Sequence, residues 1–400
     1  MKKIAVVFYH MVVGGAERSL IEFLKTIDQS KYQVTLYTRE VIREYKDEIP
    51  HGIEIVNVRG EILPSNPQQL LKEDIRHFRV CSVAAGIYYR IRIRTTKNPQ
   101  KYFYFTRKVY RIKPESYDCV ISYKPSYDNI LFPLIRLKTN KYCLFFHSTV
   151  RGAEDDRQKY DSFANNSSLN QMALDCFGKV FCVSESVQQS VNRQYPFLAN
   201  KTEVFYNIFD IEKIRLQAQE SVPITMHKCS IVSVGRLSRE KGQTLVPHTA
   251  RLLLKDGCQF KWYLIGDGPA REEIERQIEL YGVQDQVVLL GTKPNPYPYM
   301  KNCLIYVQPS FSEGFCTATV EAKILGKPVV TTDVSGMREQ FVDGANGLIV
   351  DEITSESLYR GIKYLLDHPE VRQRFTEHLA GENCDNSTEM EKLYRYIEEK

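Results

Sequence analysis

Two doubly wound α/β domains are the architecture this sequence predicts, and three observations predict it. At 400 residues the chain exceeds what one hydrophobic core usually organises, so two domains of about 150 to 200 residues follow. Apolar, β-branched runs of strand length recur with helix-like stretches between several of them, the pattern of a parallel sheet covered on both faces. The same pattern starts afresh after a polar stretch around residues 217–228.

In the first half the strand-like runs are 4–8, 34–38, 53–58, 119–123, 143–147, 180–184 and 204–206. The clearest helix spans 16–27, where Ala16, Leu20, Phe23, Leu24 and Ile27 share one face. In the second half the runs are 230–235, 260–266, 287–291, 304–309, 329–333 and 348–350. The expected domains are therefore 1–207 and 208–385, and residues 386–400 form a final helix expected to pack back on the N-terminal domain. In open α/β sheets ligands bind beyond the carboxyl ends of the strands, so the informative residues should follow each strand.

Hydrophobic residues make up 43% and charged residues 26%, the composition of an ordinary globular protein. The basic start Met1-Lys2-Lys3 is followed by too short an apolar run for a signal peptide and reads as a first strand. No run of roughly 18 apolar residues suggests a spanning helix. The ten cysteines lack paired spacing. Most, including Cys119, Cys143, Cys182, Cys229 and Cys303, lie in apolar strand-like runs and read as reduced, buried small hydrophobes of a cytosolic protein.

The strongest constellation is Glu313-Gly314-Phe315-Cys316-Thr317-Ala318-Thr319-Val320-Glu321, after a strand and opening a helix. Amides of a helix's first turn have no intrahelical acceptor and carry the positive end of its dipole, so those of Phe315, Cys316 and Thr317 suit a phosphate. The flanking carboxylates accept from paired hydroxyls: Glu321 from a ribose diol, Glu313 from a sugar. The same two acids would also serve as a solvated helix start. In Gly235-Arg236-Leu237-Ser238-Arg239-Glu240-Lys241-Gly242, the Arg236 fork and the Lys241 point charge can converge on one diphosphate, or stand solvated in a loop. Gly14-Gly15 lets backbone amides approach a phosphate at a helix start, or simply makes a tight turn. Gly266-Asp267-Gly268-Pro269 reads as a structural turn, and no G-x-G-x-x-G occurs there to invoke NAD. His147 closes a strand and should project from a carboxyl edge, and His10 occupies a similar place after the first strand.

Gly14-Gly15, His147, Arg236 with Lys241, Gly266-Asp267-Gly268-Pro269 and the Glu-x7-Glu pair Glu313 and Glu321 together resemble the glycogen-synthase-like family of retaining glycosyltransferases. Val183-Ser184, Gln308-Pro309-Ser310, Gly326-Lys327-Pro328 and the run Thr332 to Glu339 strengthen the resemblance. It implies the GT-B fold, two Rossmann-like domains facing across a cleft that holds a nucleotide-sugar donor, UDP-linked, with no metal or other cofactor. No Asp-x-Asp occurs, in keeping with Arg and Lys serving where other transferases use a divalent cation. The resemblance implies that Arg236 and Lys241 meet the diphosphate, Glu321 the ribose, and Glu313 with Phe315, Cys316 and Thr317 the sugar and phosphates. Gly14 and Gly15 would approach the phosphate, Thr292 and Lys293 would border the base, and His147 would face the donor sugar near the reacting centre. Same-face attack, with the departing phosphate taking the acceptor proton, is the mechanism implied, and double displacement on a carboxylate is its competitor. One departure stands out: Cys316 occupies a position where the family usually has glycine, which should tighten the pocket or forbid a positive φ.

Residues 76–113 contain eleven Lys or Arg and no Asp or Glu, so a chain of net charge +5 carries −6 elsewhere. Aromatic and basic residues interleave there, with Arg90, Arg92, Arg94, Arg107 and Lys108 among them. That mixture suits an anionic membrane surface, and equally a solvated basic helix pair. The expected protein is a peripheral enzyme at the cytoplasmic face of the cell membrane, acting on a polyprenyl-diphosphate-linked or other saccharide in cell-surface polysaccharide or glycan synthesis. Nucleic acid is not expected, since one patch stands without an RNA-binding motif. The alternatives are an epimerase or phosphorylase of the same fold, or a non-catalytic basic binding protein.

Overall fold

A computed structural model of the chain describes residues 1–11, 14–41, 43–58, 84, 87–88, 91–92, 95–150 and 167–399. It divides into two units: Met1–Val183, Gln188–Phe205 and Glu389–Lys400 form the first, Ser184–Val187 and Tyr206–Thr388 the second.

The first unit is built on seven parallel strands, β1 (Lys2–Val7), β2 (Tyr32–Thr38), β3 (Glu54–Asn57), β5 (Cys119–Ser122), β7 (Tyr142–Phe146), β8 (Lys179–Cys182) and β9 (Thr202–Val204), in the order β3-β2-β1-β5-β7-β8-β9. Its central strands are sealed on both faces, which is why they read as continuous apolar runs: Ile4 to Val7 and Cys119 to Ile121 are fully buried. Helix Gly15–Thr26 buries Leu20, Ile21, Phe23 and Leu24. A separate pairing of β4 (Glu115–Ser116) with β6 (Leu137–Lys138) was not legible in the sequence. The terminal helix Met390–Glu398 belongs to this unit. Lys141 Nζ donates to the Tyr396 and Ile397 carbonyls at 2.9 Å each, a cation on the orphan carbonyls of a helix end. The Tyr394 ring stacks on Tyr32 at 5.2 Å.

The second unit has six parallel strands, β10 (Ser230–Val234), β11 (Lys261–Ile265), β12 (Val287–Gly291), β13 (Ile305–Gln308), β14 (Val329–Thr332) and β15 (Leu348–Val350), in the order β12-β11-β10-β13-β14-β15. Its core centres on Trp262, fully buried, whose indole donates to Ser233 Oγ at 3.0 Å while that hydroxyl donates to the Val307 carbonyl at 2.6 Å. The polar end of the largest side chain is thereby satisfied inside the sheet.

The strand order reverses between β1 and β5 in the first unit and between β10 and β13 in the second, and such a reversal opens the crevice where α/β sheets bind ligands. The segments leaving these four strands are 8–15, 123–126, 235–242 and 309–316, which hold His10, Gly14, Gly15, Arg236, Lys241, Glu313, Phe315 and Cys316. The run expected to reach Ser184 as a strand stops at Cys182. Ser184 Oγ donates to the Gly314 carbonyl at 2.9 Å, and Glu339 accepts from the Glu185 and Ser186 amides at 2.8 and 3.0 Å, so the start of helix Glu185–Gln194 is held in the second unit.

The nine described cysteines are free thiols. Cys119, Cys143, Cys182 and Cys303 are buried as expected, whereas Cys229 is only half-buried just ahead of β10. Among the described residues no helix is long and apolar enough to cross a membrane.

Candidate active site

The second unit gathers its candidate residues at the β10/β13 reversal, apart from Thr292 and Lys293. After β10 the chain makes a short 3-10 turn, Arg239–Lys241, closed by Gly242 at φ 70°. A Cβ on Gly242 would lie 1.8 Å from the Pro309 carbonyl oxygen, so this turn is jammed against the exit of β13. The Phe311 amide then donates to the Glu240 carbonyl at 2.8 Å. Gly242→Ala combines a left-handed alanine, about 1 to 2 kcal/mol, with a backbone collision. Its expected result is a thermal midpoint lower by more than about 4 °C; calorimetry showing the wild-type midpoint would refute the close approach.

This jamming brings Lys241 onto Glu313. Lys241 Nζ donates to both carboxylate oxygens at 2.8 and 2.7 Å, Ser310 Oγ donates to Oε1 at 2.7 Å, and Gln308 Nε2 reaches the same oxygen at 3.4 Å. Gln308 is itself held by the Tyr306 hydroxyl, which donates to its Oε1 at 2.8 Å. Burial works against the Lys241 ammonium, but the Glu313 charge and hydrogen bonds outweigh it and leave its pKa above the usual lysine value. Burial would also raise the Glu240 carboxyl. The Ser238 hydroxyl, the Glu240 amide and the charges of Arg236 and Lys241 prevail and hold it below its ordinary value. Arg236 is exposed and makes no ion pair among the described residues.

Helix Thr317–Ile324 opens at Cys316, which adopts φ 61° and ψ 88°. The expectation that a side chain here forbids a positive φ is therefore corrected: the left-handed start is kept, with cysteine in it. Neighbouring groups hold it there. Gln340 Nε2 donates to the Phe315 carbonyl and, at 3.5 Å, to that of Cys316, and the Thr319 hydroxyl lies 2.7 Å from the Cys316 carbonyl. The Cys316 thiol is pushed up to about 12 by burial, reinforced by Glu313. Glu321 is buried and accepts from the Tyr297 hydroxyl at 3.1 Å. Thr292, exposed, and Lys293, half-buried, follow β12 at the far edge of this sheet. Ser310, Tyr297 and Gln340 were missed as site residues. Gln308-Pro309-Ser310 had registered only as part of a motif, and nothing in sequence spacing links Tyr297 to Glu321 or Gln340 to Phe315.

In the first unit, Gly14 precedes helix Gly15–Thr26 with an extended φ of −172°. A Cβ there would come 2.7 Å from Glu17 Oε2. The glycine thus accommodates a buried carboxylate folded back on the helix start, and an anion at those amides would face that negative charge. His147 follows β7 with its ring 4.8 Å from Tyr123 and 6.2 Å from Phe145, and its Nε2 is buried without a hydrogen-bond partner among the described residues. Burial, then the charge of Lys124, lowers its pKa to about 3 against a backbone hydrogen bond at Tyr123, so the imidazole is neutral. His10 Nε2 meets Asp128 at 3.1 Å.

The basic tract is only partly described: Arg90 and Arg94 lie outside the described residues. Arg92 stacks its guanidinium 5.2 Å from the exposed Tyr88 ring, and Lys108 lies 5.6 Å from that of Tyr104, also exposed. Arg107 does not share that surface role. Its guanidinium donates to the carbonyls of Leu134, Ile135 and Leu137 at 2.7, 3.0 and 2.7 Å. These are carbonyls at the end of helix Tyr127–Arg136, which lack intrahelical donors. Among the described residues no group of His, Cys, Asp and Glu is placed to hold a metal ion.

Residues 13–213 match the family described as Glycosyltransferase Family 4, and residues 216–379 match Glycosyl transferases group 1. An N-acetylgalactosamine-N,N'-diacetylbacillosaminyl-diphospho-undecaprenol 4-alpha-N-acetylgalactosaminyltransferase of Campylobacter jejuni is 33% identical over 176 residues, 44% of this chain and 47% of that one. The capsular polysaccharide biosynthesis glycosyltransferase CapM of Staphylococcus aureus is 24% identical over 234 residues, 56% of this chain and 62% of that one. The chain thus spans about half the length of such curated relatives. The crystal structure of Anabaena HepE in complex with UDP-glucose superposes with a TM-score of 0.70 at 17% identity, covering 99% of each chain, a likeness of fold. With both halves matched and each unit built on its own parallel sheet, the chain belongs to Glycosyltransferase Family 4 and is a glycosyltransferase of the GT-B fold.

Proposed function

We propose that this glycosyltransferase moves a sugar, with retention at the anomeric carbon and without a divalent metal, from a UDP-linked donor to a hydroxyl of a lipid-linked saccharide in cell-surface polysaccharide synthesis. The observation that carries the reading is the Lys241–Glu313 pair at the β10/β13 reversal, an ammonium and a carboxylate preorganised where the fold binds ligands. Lys241 and Arg236 serve the diphosphate, and the Phe315, Cys316 and Thr317 backbone serves phosphate and sugar. Glu321, oriented by Tyr297, serves the ribose, while Thr292 and Lys293 border the base. His147, kept neutral, presents a hydrogen-bonding nitrogen to a donor-sugar hydroxyl. The departing phosphate takes the acceptor proton, and the protein positions the partners and stabilises the leaving charge. A UDP-sugar donor is supported by the HepE complex, and a polyprenyl-diphosphate acceptor by the Campylobacter relative.

A panel of nucleotide sugars tests the donor. At about a hundredfold excess over Kd, binding to the native state adds about 2.7 kcal/mol, or about 5 to 10 °C in the midpoint of the binding domain. No shift with any UDP-sugar would sink the reading. Flotation with anionic vesicles tests the membrane surface: replacing Arg92 and Lys108 should cut the bound fraction, whereas Arg107→Ala should lower the thermal midpoint instead. Equal flotation of wild type and the Arg92/Lys108 variant would remove these two cations from the membrane role.

A further inference from the structure

We propose that Lys124, with His147 beside it, forms a diphosphate subsite on the first unit. Lys124 leaves β5 at the β1/β5 reversal, and His147 leaves β7, the next strand of the sheet. Adjacent strand ends stand about 5 Å apart, so both groups can face one ligand. Lys124 is half-buried as a residue, with its ammonium 5.8 Å from the Phe8 ring centroid, and that ammonium makes no hydrogen bond or ion pair among the described residues. A half-buried cation that finds no protein anion is most simply explained by an anion that arrives with a ligand.

Two neighbouring features narrow the choice. The buried Glu17 carboxylate lies against Gly14 at the helix start and repels an anion there, which leaves the phosphate contact in this unit to Lys124. Asp128, on the next helix, is engaged by His10. His147 adds the second half of the site: an unpartnered Nε2 that, with the ring neutral and hydrogen-bonded to the Tyr123 backbone, can accept from a ligand hydroxyl next to the phosphate. The ammonium is a point charge suited to diphosphate oxygens. Under the transferase reading, on which this subsite rests, two substrates carry that chemistry: the nucleotide donor and a lipid diphosphate acceptor.

The test uses the full chain with Lys124→Gln and Lys124→Arg, titrated calorimetrically with UDP and with geranyl diphosphate. The Gln variant should bind one probe about tenfold or more weaker, and the Arg variant should stay within about threefold of wild type. Loss confined to UDP assigns the subsite to the donor, and loss confined to geranyl diphosphate assigns it to the acceptor. If both probes bind the Gln variant as tightly as wild type, the subsite is wrong. Wild-type UDP binding, measured first, tests the donor reading separately, so the two can fail independently.

Discussion

Glu313→Ala is expected to abolish transfer and to destabilise the second unit. The side chain is 5% exposed and Lys241 26%, so truncation strands a largely buried ammonium beside Ser310 and Gln308. Removing one partner of a buried pair costs about 3 to 5 kcal/mol, and the partial exposure of Lys241 brings the figure here toward about 2 to 3. Because the Lys241 pKa is raised, the pair's contribution is fully present below the ordinary lysine value and is lost only as pH rises beyond it. The destabilisation should therefore be flat between pH 6 and 9. Glu313→Gln keeps the shape and should lose about 10²- to 10³-fold in kcat/KM with a smaller stability loss. Adding Lys241→Met to Glu313→Ala should restore part of the midpoint, because no charge is left unpaired. A Glu313→Ala midpoint equal to wild type would mean that the pair does not hold the folded state.

Part of the architecture was legible in the sequence. The strands were, because those sealed on both faces are written as unbroken apolar runs, as in Tyr142–Phe146 and Ile305–Gln308. The sequence also sets the candidate residues just after these strands, at the carboxyl edge to which a parallel sheet funnels ligand chemistry. What the sequence could not show is pairing across it. Lys241 and Glu313 were assigned to two different parts of a donor, yet they meet each other. Arg107 looked like its basic neighbours, and only the carbonyls left at the end of helix Tyr127–Arg136 turn it inward. Cys316 read as an obstacle to a left-handed start. Gln340, a neutral residue 24 positions away, holds the loop carbonyls that keep that start in place.

Acidification should weaken the first unit through His147 in particular. Its imidazole stays neutral in the folded protein down to about pH 3, whereas the unfolded chain takes up a proton near the ordinary histidine value of about 6.5. Stability owed to the neutral ring is complete above pH 6.5 and is lost as pH falls toward 3, at about 1.4 kcal/mol per pH unit. By pH 5 the loss is about 2 kcal/mol, or about 4 to 8 °C in the midpoint of a domain this size. His147→Phe preserves the packing on Tyr123 and Phe145 but has nothing to protonate, so its decline between pH 7 and pH 5 should be shallower by that amount. Lys124→Gln should also flatten the curve, by less, because burial rather than the neighbouring charge is the larger cause of the depression. If wild type and His147→Phe decline in parallel, the ring accepts its proton in the folded state. A charged imidazole beside Lys124 would then make the carboxyl edge of this sheet more cationic in acid, and affinity for diphosphate would rise as pH falls instead of staying level.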